Sequence, residues 1–223
     1  MPTPEKTMAN VDADEPLFIS VDIEVTDTNP LKGRLMQMGL VSSTGAELEV
    51  VFGVSNEEPV NDWVRENLSE LLEDCWHRRS LSAHLPKVQV GNGWVDADFV
   101  GQIRAVRDWV MREQMGVDQD SGLFRLPPPG SALRPAVFVA YCGGLDWGFT
   151  AKAFAHAAVE NPFHYEFVEI SSLAMGKLGL PWGFSESDLE KALGIEPLNP
   201  DAKHNALEDA RHQMREFQAL MAL

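Results

Sequence analysis

Two carboxylates one residue apart, Asp22 and Glu24, close the apolar run Leu17-Phe18-Ile19-Ser20-Val21-Asp22-Ile23-Glu24-Val25. Branched and aromatic residues favour an extended segment here. Residues i and i+2 of a strand share a face, so the two acids project together. Like charges side by side repel, and a hard divalent cation held by oxygen ligands is the usual relief; two ordinary surface acids at a strand end are the plainer alternative. Asp146 follows the short apolar run Ala136 to Tyr141, which reads as a strand buried on both faces. The Cys142-Gly143-Gly144 turn then leads into a helix beginning near Trp147. At that junction Asp146 is either a site residue or an N-cap accepting a backbone hydrogen bond. His204 and Asp209 stand at the start of a final helix from about Asn205 to Met221, with Leu207, Ala210, Met214, Phe217 and Met221 as its apolar stripe.

The elements that must position these residues follow from pattern and composition. A chain of 223 residues, 44% hydrophobic, is long enough for a full core. The reading is a polar tail over 1–16, then one domain over 17–223 with a helical and loop insertion at about 57–135. Runs over 34–42 and 47–54 continue the first strand as a three-stranded meander. Helical spacing recurs over 60–77 and 96–114, the latter through Phe99, Ile103, Val106 and Val110. The stretch 116–135, with Pro127-Pro128-Pro129-Gly130, reads as loop. A strand over 164–170 and short helices over 173–178 and 186–193 complete the set, with Ser185 or Ser187 as cap of the second helix.

A net charge of −16 excludes a polycation that coats nucleic acid, though not a local basic patch. No apolar run approaches the roughly 18 residues of a membrane span and no cleavable signal is visible, so a cytoplasmic protein without membrane contact is expected. Cys75 and Cys142 lack metal-ligand spacing and read as buried thiols. His77, His84, His156, His164 and His212 share no spacing suited to a metal, and surface or packing roles are the default. Trp147 reads as core filler sooner than a base-stacking ring, and Arg78, Arg79, Arg104, Arg107 and Arg112 as solvated helix faces sooner than a phosphate track.

Taken in order, Asp22-Ile23-Glu24, Asp146-Trp147-Gly148-Phe149 and His204-Asn205-Ala206-Leu207-Glu208-Asp209-Ala210 resemble the DEDDh family of 3′-to-5′ exonucleases, which includes proofreading subunits, ribonuclease T and oligoribonuclease. The third motif is the most specific. The matches cover 17–25, 137–150 and 199–217. Pro181-Trp182-Gly183-Phe184 and the surroundings of Asp146 are also similar to a branch of small exoribonuclease-like proteins. The chain departs from the family at two places. Val25 precedes Thr26 where the family has Thr directly after Glu, leaving a backbone amide for substrate contact. Tyr141, Cys142 and Leu145 replace a His-Asn pair and a Phe, which alters substrate contacts while retaining the ligand Asp146.

The resemblance implies an α/β, ribonuclease-H-like fold with a mixed central β-sheet flanked by helices. It implies that Asp22, Glu24, Asp146 and Asp209 hold two divalent metal ions, Mg²⁺ or Mn²⁺, and that His204 takes a proton from the attacking water. Glu208 is left as a solvated neighbour. The implied substrate is the 3′ end of short single-stranded RNA or DNA, RNA somewhat favoured, with release of 5′-mononucleotides. A catalytically silent nucleic-acid-binding or scaffolding protein on the same fold is the alternative, a hydrolase of another small phosphodiester is a third reading, and homo-oligomerisation stays open.

Overall fold

The computed structural model describes residues 15–82, 87–90, 93–116 and 133–223. Its centre is β1, Leu17–Val25, which pairs antiparallel with β2, Leu35–Ser42, and parallel with β6, Ala136–Ala140. Outside these lie β3, Glu47–Val51, and β7, Phe163–Glu169, giving a mixed five-stranded sheet in the order β3-β2-β1-β6-β7. The three-stranded meander and the α/β architecture are as expected from the sequence.

Both faces of β1 are covered, and each takes alternate residues. Leu17, Ile19, Val21, Ile23 and Val25 pack in one core with α3, Ala97–Gln114, and α4, Gly143–His156. On the opposite face Phe18 packs with α5, Ile170–Leu178, α6, Glu186–Leu193, and α7, Ala206–Met221, and its ring lies 4.8 Å from that of Phe217. Period-two alternation therefore turns Asp22 and Glu24 toward the α7 side of the sheet. A third core, of Met36, Val54, Val64, Leu68, Leu72 and Cys75, sits under α1, Asp62–Asn67, and α2, Ser69–Ser82.

Several elements differ from the sequence reading. The helix expected over 60–77 is two, broken at Leu68 (φ −123°, ψ 30°). A hairpin of β4, Lys87–Val90, and β5, Gly93–Asp96, precedes α3 where only insertion was expected. α4 begins at Gly143 with Cys142 as N-cap, so Asp146 lies inside the first helical turn and is no cap; the two glycines, poor helix formers, hide that start. In α7 the buried residue near the end is Leu220, while Met221 is exposed. Asn205 caps α7, accepting from the amides of Leu207 and Glu208 at 3.1 Å each, and Ser185 caps α6 in a reciprocal box with Asp188. The expected tail over 1–16 and loop over 116–135 lie largely outside the described residues. Among the described residues, no helix is long and apolar enough to cross a membrane.

Candidate active site

Asp22 and Glu24 stand in the last turn of the β1 pleat, opposite Gly39 and Gln37 of β2 in the antiparallel register. A bulge follows Glu24, so regular pairing ends where the second acid projects. The start of α7 lies directly over this part of β2. Gln37 fastens it there: its Oε1 accepts from the Ala206 amide at 3.1 Å, while its Nε2 donates to Glu49. Two turns further along α7, Gln213 Nε2 donates to Asp22 Oδ1 at 2.7 Å, and Gln213 Oε1 accepts from the Tyr141 amide at 3.2 Å. Gln213 thus joins β1, the end of β6 and α7.

This docking brings Asp209 to the two strand acids. One carboxylate oxygen from each of Asp22, Glu24 and Asp209 lies within 4.8 Å of the others. Asp146 approaches from the first turn of α4, near enough that its charge raises the pKa of both Asp22 and Glu24. Its carboxylate is buried, and the amides of Asp146 itself and Ile23 pull its own pKa back. The structure therefore brings all four acids to one place on the α7 side of the sheet, with Asp146 outside the tightest group of three. Glu208 turns away and pairs with Arg211.

His204 reaches the same place from the segment before α7. Its backbone is left-handed, φ 65°, and its amide donates to Asp209 Oδ2 at 2.9 Å. The imidazole is about half exposed, with Nδ1 3.8 Å from Glu24 Oε1. The exposed Trp63 of α1 meets it edge to face, ring centroids 5.0 Å apart.

Electrostatically the four acids are strained. Burial is the largest influence on each and drives its pKa up: Glu24 to about 8, Asp146 to about 7, Asp209 to about 6, and Asp22 well above the ordinary range. Repulsion from Asp146 and Asp209 adds to this at Asp22 and Glu24, and the hydrogen bonds from Gln213 and the His204 amide offset it only in part. Such a set is at ease only when protonated or when cations stand among the oxygens. All donors are carboxylate oxygens, which suits hard ions such as Mg²⁺ and Mn²⁺.

Gln37, Gly39, Gln213 and Trp63 escaped the sequence reading. Gln213, on the Asp209 face of α7 by i+4 spacing, is the one with a legible signal. One expected substrate contact is used inside the fold instead. The Thr26 amide donates to the Arg34 carbonyl at 2.9 Å and the Thr26 hydroxyl oxygen accepts from the Arg34 amide at 3.0 Å, so that amide is not left for substrate. Trp147 packs on Phe138 and Phe167, the core filler that the sequence leads one to expect. A separate cleft of about 540 Å³, lined in part by Arg34, Arg79, Phe149, Lys152 and His156, contains none of the four acids. Its cations are engaged within the fold: Arg34 pairs with Glu58, Arg79 with Asp96, and Lys152 bonds the carbonyls of Pro30 and Gly33.

The mixed five-stranded sheet with helices on its two faces is an α/β fold that matches ribonuclease-H-like exonucleases of known structure. No family model and no curated protein sequence matches the chain. Solved structures do. One is the nuclease domain of 3'hExo, a DEDDh family member, bound to rAMP, with 11% identity and a TM-score of 0.59 over 95% of this chain and 94% of that one. E. coli exonuclease I in complex with a dA16 oligonucleotide matches with 14% identity and a TM-score of 0.56, over 93% of this chain and 41% of that one. The zinc-ion-bound form of the E. coli exonuclease I–ssDNA complex matches with 13% identity and a TM-score of 0.57, over 94% and 41%. The chain thus spans less than half the length of these exonuclease I chains, and at such identities the likeness is one of fold.

Proposed function

We propose that the chain is a metal-dependent 3′-to-5′ exonuclease. It hydrolyses the terminal phosphodiester of short single-stranded nucleic acid, RNA somewhat favoured over DNA, and releases 5′-mononucleotides. The observation that carries this reading is the convergence of Asp22, Glu24 and Asp209 oxygens within 4.8 Å of one another, with the His204 imidazole 3.8 Å from Glu24. The substrate class is supported by two neighbours of the same fold, one bound to rAMP and another to dA16.

Asp22, Glu24, Asp146 and Asp209 are the residues that would hold Mg²⁺ or Mn²⁺. Two such ions, when bound, activate a water toward the phosphorus and stabilise the leaving 3′ oxygen. The chain's own residues do the rest. His204, exposed beside the acids, takes the proton from the attacking water. Because its Nδ1 faces Glu24, Nε2 is the atom left for that proton. Its amide bond to Asp209 ties the base to a ligand, so the two keep one geometry. Gln213 holds Asp22 by donating to Oδ1, leaving Oδ2 for an ion.

Matched 5′-labelled RNA and DNA oligonucleotides, incubated with Mg²⁺ or Mn²⁺ and resolved over time, test the proposal. A ladder shortening from the 3′ end and stopped by chelator is expected. Tight binding without cleavage would instead mark a silent binding protein on this fold.

A further inference from the structure

Between α6 and α7 lies a second cluster of ionisable groups. His212 and Glu216 are one turn apart on α7, and Glu186 and Glu190 one turn apart on α6, so two i,i+4 pairs face each other. His212 and Glu216 are fully buried and Glu190 nearly so. Burying a carboxylate without partners costs several kcal/mol, and the charge is normally neutralised or paired. Yet neither carboxylate oxygen of Glu216 has a hydrogen bond, and His212 Nε2 has none either. Three oxygens instead surround Nε2, from Glu190 at 3.1 Å, Glu216 at 3.6 Å and Glu186 at 3.9 Å.

We propose that Glu186, His212 and Glu216, with Glu190 beside them, form a binding site for a first-row transition ion of the Zn²⁺ type, distinct from the catalytic centre. Ligand atoms about 2.0–2.2 Å from a tetrahedral ion stand roughly 3.3–3.6 Å apart, close to the spacings around Nε2. One imidazole among carboxylates favours Zn²⁺ over Mg²⁺ or Ca²⁺, which prefer all-oxygen sets. Burial, with the charges of Glu186 and Glu190, pushes Glu216 up to about 8, the state of a carboxylate lacking a cation.

One group opposes the ion. Arg215 Nη2 lies 2.8 Å from His212 Nδ1. A guanidinium only donates, so Nδ1 accepts and the ring proton sits on Nε2. Ion binding needs that proton on Nδ1, hence Arg215 must let go; it is exposed and free to turn into water. A second cation, Lys203, pairs with the other oxygen of Glu186 at 3.1 Å, and the charge of Glu186 reaches Asp209. Lys203 and His204 belong to the segment between α6 and α7, so an ion here would brace the two helices from which the base is hung.

The test uses the full chain with the catalytic centre disabled as Asp22→Asn/Glu24→Gln/Asp209→Asn, titrated with Zn²⁺ and analysed for metal content after dialysis. One retained equivalent is expected. Adding Glu216→Gln, or Glu186→Gln at the more open position, should weaken it by more than the roughly 10- to 100-fold that losing an outer-shell partner costs. Adding Arg215→Met should bind at least as tightly. No retained Zn²⁺ in the disabled parent overturns the site, as does retention unchanged in folded Glu186→Gln and Glu216→Gln, or weaker binding in Arg215→Met.

Discussion

Asp22 and Gly39 face each other across the β1–β2 ladder, and a methyl group on Gly39 would stand 2.2 Å from the Ala206 carbonyl oxygen at the head of α7. The missing side chain is what lets α7 lie on β2 and carry Asp209 to Asp22. Gly39→Ala should therefore push the helix off the acids. Overpacking of this kind costs about 1–3 kcal/mol, or roughly 2–4 °C of Tm per kcal/mol in a chain of this size. Turnover should fall further, by about 10²-fold, the usual cost of a displacement near 1 Å. Gly101, in α3 with nothing within 4 Å of an added methyl group, is the control: Gly101→Ala should leave turnover alone and raise Tm slightly. Melting curves and single-turnover rates check both, and equal behaviour of the two variants would remove Gly39 from the account.

His204 combines a half-exposed imidazole with a left-handed backbone. Replacing it separates the two features. His204→Ala and His204→Gly should both lower turnover by about 10² to 10⁴, the range for loss of a general base. The glycine variant should melt higher, because a non-glycine residue in this region costs about 1–2 kcal/mol. Mn²⁺ affinity by calorimetry should stay near wild type in both. An equal loss of metal binding would recast His204 as a ligand or a strut.

The raised carboxylate pKa values make metal-free stability fall with pH. Glu24, Asp146 and Asp209 titrate in the fold at about 8, 7 and 6, above their ordinary values. Between about pH 4 and 8 the folded state therefore holds more protons than the unfolded one, so the stabilisation present below about pH 4 is lost as pH rises to 8. The chelated protein should melt lower at pH 8.5 than at pH 5.5, and Mg²⁺ or Mn²⁺ should narrow the gap. Glu24→Gln should raise the metal-free Tm at pH 8.5 while nearly abolishing turnover. Asp22→Asn, Asp146→Asn and Asp209→Asn should be equally inactive, whereas Glu208→Gln, whose carboxylate is paired with Arg211 at the surface, should be mild. A lower metal-free Tm for Glu24→Gln at pH 8.5 would contradict the repulsion ascribed to the site.

Short-range signals explain what could be read beforehand. Period-two alternation through Leu17–Val25 and the helical spacing of the α7 stripe from about Asn205 are local, and they fix which faces Asp22, Glu24 and Asp209 occupy. What escaped depends on contact between distant segments. Gly39 matters only because Ala206 lands on it, and Gln37 because it lies opposite Glu24. His212 showed no metal spacing because two of its acidic neighbours come from α6, and because its own i+4 partner, Glu216, reads as an ordinary helical acid until both are seen to be buried.

Charge limits how much substrate the protein can grip. At −16 overall, most of its surface repels a polyanion. Several cations that might track a strand are already committed: Arg107 pairs with Asp108, Arg78 with Asp74, Arg79 with Asp96, and Arg211 with Glu47 and Glu208. Productive contact should then be confined to the metal-binding acids and the few residues around the 3′ end, a footprint of roughly two to four phosphates. For single strands this gives a slope of log affinity against log salt near −1.4 to −2.8, at about −0.7 per neutralised phosphate. Affinity of the His204→Ala variant, measured at fixed excess metal, should stop rising once oligonucleotides reach a few nucleotides. Steady tightening with length and a steeper slope would reveal an extended basic track, for which the α3 face bearing Arg104, Arg107 and Arg112 is the first place to substitute.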